Sequence, residues 1–129
     1  MADKLTRILY VEDEPDIQMV ARLALETLGG FTLEVCSSGQ EALDRAPGFQ
    51  PQLILLDVMM PGMDGPSTLG KLRELPQFTD TPAIFMTAKV QPGEVADYKK
   101  IGAADVIPKP FDPMTLSSQV QAVWDQCHG

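Results

Sequence analysis

The chain is short of several residue types, and each shortage removes a class of function. Its only histidine, His128, stands at the tail, away from the acidic motifs. Its two cysteines, Cys36 and Cys127, are too few and too far apart to read as a disulfide framework, so free thiols in a cytoplasmic protein are the simpler expectation. Basic residues are scarce: Lys and Arg number 10 against 18 Asp and Glu, a formal net charge of −8. Such a surface repels phosphate backbones and anionic lipid, which argues against direct nucleic-acid or membrane binding. No apolar run is long enough to span a bilayer, and Met1-Ala2-Asp3-Lys4 leads into a strand-like segment without the pattern of a signal peptide. Glycine-rich nucleotide loops of the GxGxxG or GxxxxGK type are missing. So are repeats, low-complexity tracts and linkers, and 129 residues suit one domain, 1–129, with no appended effector.

What is present centres on the stretch from Pro51 to Gly65. Leu53 to Leu56 form an unbroken apolar run that stops at Asp57 and passes at once into turn residues. A short run without alternation suits a strand buried on both faces of a parallel sheet. Asp57 then sits at a carboxyl strand end, where open α/β sheets place their ligand crevice. Pro61, Gly62 and Gly65 punctuate the loop, and Asp64 is placed to cap a helix starting near Pro66.

The same strand-then-helix alternation runs through the chain. Ile8 to Val11 is an apolar strand ending in Glu12-Asp13-Glu14, with Pro15 in the first turn of a helix that Asp13 or Glu14 would cap. Ile17, Val20, Ala21, Ala24, Leu25 and Leu28 mark that helix's buried stripe, and Gly29-Gly30 ends it. Phe31, Leu33 and Val35 fall on one side of a second strand, followed by a short helix from Gln40 to about Ala46 that Pro47-Gly48 closes. Leu69, Leu72 and Leu75 mark the helix after Asp57, which Pro76 ends and Gly70 weakens. Pro82 to Met86 is a fourth strand ending in Thr87-Ala88-Lys89, and Pro92 to Ile101 a polar helix stopped by Gly102. Ala104 to Ile107 is a weak fifth strand, placed at an edge because Pro108 lacks an N–H. Asp112-Pro113 reads as N-cap and first residue of a last helix lined by Leu116, Val120, Val123 and Trp124. Alternation of this kind predicts an α/β fold, a parallel sheet between helices joined by right-handed crossovers.

In a parallel sheet all carboxyl strand ends share one edge. Glu12 and Asp13, Asp57, Thr87 and Lys109 are therefore predicted to converge, provided the first and third strands are neighbours. Carboxylates crowded together repel one another unless a cation offsets them. A hard divalent ion with oxygen ligands, Mg²⁺, answers this with one or two carboxylates, a backbone carbonyl and waters. Lys109 is the point-charge partner for Asp57 or for a phosphoryl group on it, and the Thr87 hydroxyl can donate to a phosphoryl oxygen, with the small Ala88 keeping the approach open. Asp57 can then act as a nucleophile toward phosphorus, and with His128 at the tail a phosphohistidine donor must come from another protein. Met59, Met60, Met63 and Met86 read as loop and core filling, and Lys89, Lys99 and Lys100 as a solvated face.

Glu12-Asp13, the Leu-Ile-Leu-Leu-Asp57-Val-Met-Met-Pro-Gly-Met-Asp-Gly run, Thr87-Ala88 and Lys109-Pro110-Phe111, in this order, resemble the receiver domain of two-component response regulators. The resemblance covers the chain from Ile8 to the last helix. It implies a flavodoxin-like (βα)5 doubly wound sheet with strand order 2-1-3-4-5. It implies that Asp57 accepts phosphate from a sensor histidine kinase or histidine phosphotransfer protein. It further implies that Asp13, Asp57 and the Met59 carbonyl hold Mg²⁺, that Glu12 acts through water, and that Lys109-Pro110 is a cis peptide. Many receivers carry Tyr or Phe three residues before the lysine, where this chain has Val106. Output is then expected from the loop after Thr87, the fourth helix, the fifth strand and the fifth helix toward a downstream protein, with a smaller change at Val106. Such a module is not an enzyme with an external product. The alternative is a Mg²⁺-dependent phosphohydrolase of the haloacid-dehalogenase type with Asp57 as nucleophile. Those enzymes carry a second acid two residues further on, where this chain has Met59.

Overall fold

The computed structural model describes residues 4–128, so Met1, Ala2 and Asp3 of the leading segment lie outside the described residues. Strands β1 (Arg7–Val11), β2 (Thr32–Cys36), β3 (Leu53–Asp57), β4 (Ala83–Thr87) and β5 (Asp105–Pro108) form one sheet in the order β2-β1-β3-β4-β5, every pair parallel. Helices α1 (Pro15–Arg22), α2 (Gly39–Phe49), α3 (Gly65–Arg73) and α4 (Pro92–Lys100) fill the four crossovers, and α5 (Leu116–His128) follows the last strand. This is the flavodoxin-like arrangement, and it puts the Pro108 strand at the sheet edge, where a missing N–H breaks no ladder.

Alternation within the strands divides the core in two. Ile8, Tyr10, Leu53, Leu55, Ile84 and Met86 face α1 and α5, against Ala21, Leu25, Leu116 and Val120. Leu9, Val11, Ile54, Leu56 and Phe85 face the other way, against Ala42, Ala46, Leu69 and Leu72 from α2 and α3. Every residue of β3 and β4 is buried, which explains why both read as continuous apolar runs.

Four local expectations are corrected. Helix α1 passes into a π-helical segment, Leu23–Leu28, whose wider turn carries Leu28 off the stripe: Ala21, Ala24 and Leu25 are buried, but Leu28 and Val20 are exposed. Val20 instead lines a cleft with Ile17, Pro110 and Phe111. Pro47-Gly48 does not end α2. The helix runs on to Phe49, which packs on the core, and left-handed Gln50 (φ 55°) closes it by donating to the Ala46 carbonyl. Pro113 begins a turn rather than α5: Asp112 caps that turn by accepting from the Met114 N–H at 2.9 Å, and the helix starts at Leu116. At α1, Glu14 holds the N-cap position with no side-chain cap bond, and Asp13 does not cap either. Asp64 does cap α3, its Oδ1 accepting from the Ser67 N–H at 2.8 Å.

Candidate functional site

Strand register builds the site. Val11 pairs with Leu56, so Glu12 and Asp13 leave β1 beside Asp57 at the end of β3. Asp57 pairs with Met86, which puts Thr87 at the adjoining strand end, and the Lys109 N–H donates to the Thr87 carbonyl at 2.9 Å. The Lys109-Pro110 peptide is cis. The start of α3 presses on the acid strand so closely that a Cβ on Gly65 would lie 2.5 Å from the Asp57 carbonyl oxygen, hence glycine there.

Carboxylate oxygens of Glu12, Asp13 and Asp57 lie within 4.8 Å of one another. Lys109 Nζ spans two of them, donating to Glu12 Oε1 at 2.9 Å and to Asp57 Oδ1 at 3.1 Å. Glu12 and Asp57 are buried, and the Lys109 side chain is nearly so. Burial pushes the Glu12 carboxyl up to about 7; the Lys109 hydrogen bond opposes the rise and the Asp57 charge adds to it. Burial pulls Lys109 down, but its bonds to Glu12 and Asp57 outweigh that and leave it raised. One ammonium thus faces three carboxyl groups. Asp13 Oδ1 is buried with no hydrogen-bond partner, an oxygen of the kind that a hard cation takes. The donor set is all hard oxygen, which fits a small divalent ion and does not fit a soft one.

Of the other predicted residues, Thr87 lies at the pocket's strand edge and several others lie away from it. Thr87 is buried, and its Oγ1 accepts from the Lys89 N–H at 3.1 Å, which leaves its own proton free to donate. Ala88 is exposed, and Met59 is 70% exposed. Val106 does not enter the pocket; it packs on the α2–α3 side of the sheet with Tyr98 and the core around Phe85. Lys89, Lys99 and Lys100 are exposed, and Trp124 and Cys36 are core. Burial drives the Cys36 thiol up to about 12. The side chain of His128 lies outside the described residues.

Three features of the site were not legible from sequence patterns. Lys109 bonds Glu12 as well as Asp57. Gln18 of α1 donates to the Glu12 carbonyl and to Ser37 Oγ, tying two strand-end loops together. Tyr10, completely buried two residues before Glu12, has its phenol held protonated by burial and by the Glu12 and Asp57 charges. A polar residue at alternation distance before a site acid was the available clue for Tyr10.

A family model for the response regulator receiver domain matches residues 8–121. The chain belongs to this family. Response regulator Rre1 of Synechocystis sp. is 34% identical over 121 residues, 94% of this chain and 52% of Rre1. Transcriptional activator protein IrlR of Burkholderia pseudomallei is 38% identical over 117 residues, 91% of this chain and 49% of IrlR. The chain spans about half the length of the curated relatives it matches. Among solved structures, chemotaxis protein CheY4 of Vibrio cholerae superposes with a TM-score of 0.86 at 30% identity, covering 93% of this receiver and 99% of CheY4. These matches make the protein a two-component response regulator receiver and give no support to a haloacid-dehalogenase-type phosphohydrolase. No helix among the described residues is long and apolar enough to cross a membrane.

Proposed function

We propose that Asp57 is the phosphoryl acceptor of this receiver, that the donor is a phosphohistidine on a sensor kinase or phosphotransfer protein, and that Mg²⁺ assists. The reading is carried by one observation: Lys109 Nζ lies 3.1 Å from Asp57 Oδ1 in a cluster of three acids, two of them buried. Asp13 and Asp57 would hold the ion with the Met59 carbonyl, and Glu12 would act through a water. When bound, the ion offsets the crowded carboxylates and the phosphoryl oxygens. A P–O bond to Asp57 forms as the donor's P–N bond breaks, and the freed imidazole leaves with the bonding pair and takes up a proton. Lys109 follows the negative charge from the carboxylate to the phosphoryl group, and the Thr87 hydroxyl donates to a phosphoryl oxygen. Water attack on the acyl phosphate later returns the carboxylate and inorganic phosphate. The chain takes part chemically only in its own phosphorylation and reset.

The output surface would be the loop after Thr87 with α4, β5 and α5, presented to a downstream protein in the cytoplasm. Two features support it. Helix α4 has no buried residue, and its Tyr98 ring meets Phe85 edge-on at 5.3 Å, two residues before Thr87. A displaced Thr87 would thus be felt at Tyr98 even with Val106 in the usual aromatic position. The test of the acceptor is intact mass after acetyl phosphate and Mg²⁺. The parent should gain one phosphate and Asp57→Asn none; a gain that survives in the variant would remove Asp57 from the role. Free and beryllofluoride-bound structures test the output, and an unmoved Thr87 loop would count against it.

A further inference from the structure

The Tyr10 side chain sits wholly inside the core beneath the acidic pocket, an unusual place for a hydroxyl. Its neighbours on that face of the sheet, Ile8, Leu55, Met86 and Leu116, are apolar and offer it nothing. The phenol oxygen makes no hydrogen bond of normal geometry, although the Glu12 carboxylate lies close enough to act on it. Strand alternation puts Glu12 on the same side, and Glu12 and Asp57 are the charges that bear on the phenol. A buried hydroxyl without a partner costs stability, and phenylalanine would fill the same space without that cost.

Glu12 supplies the reason. It is completely buried, and its Oε1 depends on Lys109, while Oε2 receives only the Glu14 N–H at 3.3 Å. Lys109 is shared with Asp57, so whatever draws the ammonium toward a phosphoryl group or a bound ion's ligands strips Glu12 of its strongest donor. Tyr10 carries a buried hydroxyl close enough to Glu12 for the two to act on each other. We infer that Tyr10 is a positioning residue of the acidic pocket: its hydroxyl is a standby donor that turns onto the Glu12 carboxylate when Lys109 leaves it, fixing Glu12 for the divalent cation. The inference rests on the cation-dependent reading of the pocket given above.

The test uses the full chain and Mg²⁺ alone. Tyr10→Phe keeps the packing and removes only the hydroxyl, so the fold should hold and the thermal midpoint should stay or rise. Calorimetric Mg²⁺ affinity should weaken about tenfold, the size of effect seen when a ligand's supporting partner is lost. In ring-carbon-labelled protein the two tyrosines give two resonances, assigned with Tyr98→Phe. The Tyr10 signal should move on Mg²⁺ addition and the Tyr98 signal much less. Wild-type protein that binds Mg²⁺ with the Tyr10 signal still, and Tyr10→Phe that binds equally well, would overturn the inference and leave the pocket reading standing. Wild-type protein that binds no Mg²⁺, or Asp57→Asn that binds it unchanged, would overturn both.

Discussion

The acidic pocket and the α4 face sit a few residues apart along β4, yet they are built on opposite terms. At the pocket, three acids, two of them buried, are gathered by two neighbouring strands, and charge is kept where burial makes it costly. At α4, every residue is at least partly exposed, alone among the described helices, and attachment rests on Tyr98 and a few neighbours. The pocket is buried and electrostatically loaded; the helix is lightly held. A receiver needs both, because a change of charge at a buried site can reach a partner only through a part that moves cheaply. Phe85 joins them: it is buried in β4, two residues before Thr87, and touches Tyr98.

Breaking that joint should give the largest effect. Phe85→Ala removes a fully buried ring and should cost about 3–5 kcal/mol in urea unfolding. Loss should appear in the whole domain, because β4 pairs with both β3 and β5. A cost below about 1 kcal/mol would mean that the two regions are not joined at this ring.

The pocket's own cost is next, and pH exposes it. Glu12 titrates near 7 in the folded chain against 4.5 for the free side chain. Between those values the folded state holds a proton that the unfolded state has released. The contribution of this group is therefore full below pH 4.5 and fades as pH rises through 7. In metal-free buffer the parent should lose on the order of 2–3 kcal/mol across that window, and Glu12→Gln should flatten the profile. Added Mg²⁺ should return most of the loss at pH 8 in the parent and little in the variant. Parallel profiles for the two proteins would refute the assignment of the strain to Glu12.

At the lightly held side, Tyr98→Leu keeps apolar bulk and removes the edge-on ring contact. Global stability should fall about 1 kcal/mol, and amides of α4 should exchange faster while those of β1 and β3 change little more than that global loss requires. Phosphorylation by acetyl phosphate should persist. Beryllofluoride should then shift Val106 and α4 resonances less than in the parent, because the ring that carries the displacement is gone. An undiminished response would mean that α4 is reached by another route.

Much of this contrast was legible before any coordinates, for a definite reason. Apolar runs that stop at Glu12, Asp57, Thr87 and Lys109 each describe a strand end, and a parallel sheet has one carboxyl edge, so the pocket follows from order alone. What escaped depends on how far side chains reach between elements distant in sequence. Lys109 meets Glu12 across 97 positions, and no local pattern encodes that bond. The π-helical turn at Leu23–Leu28 escaped because apolar spacing assumes a 3.6-residue period throughout. Pro47 misled because a breaker near a helix end is overridden when the next apolar residue, Phe49, finds a core to pack on. Val106 departs from the usual aromatic, but the aromatic that meets Phe85, Tyr98, lies on a different element and no motif announces it.

The smallest effect gives the cleanest division, because one change can be made in both kinds of helix. Gly70 in α3 and Gly93 in α4 each have open space where a Cβ would stand, and neither has a positive φ. Alanine at either site should add about 0.5–1 kcal/mol to global stability by restricting the unfolded chain and favouring the helix. Helix α3 is bound to the pocket through Gly65 and buries Leu69 and Leu72, so it opens only with the domain. If α4 opens by itself, Gly93→Ala slows exchange of α4 amides about two- to fivefold, while Gly70→Ala leaves them unchanged because the open and closed forms both retain α3. Equal slowing in the two variants would show that α4 lets go only when everything else does, and the receiver would then have no cheap moving part on that face.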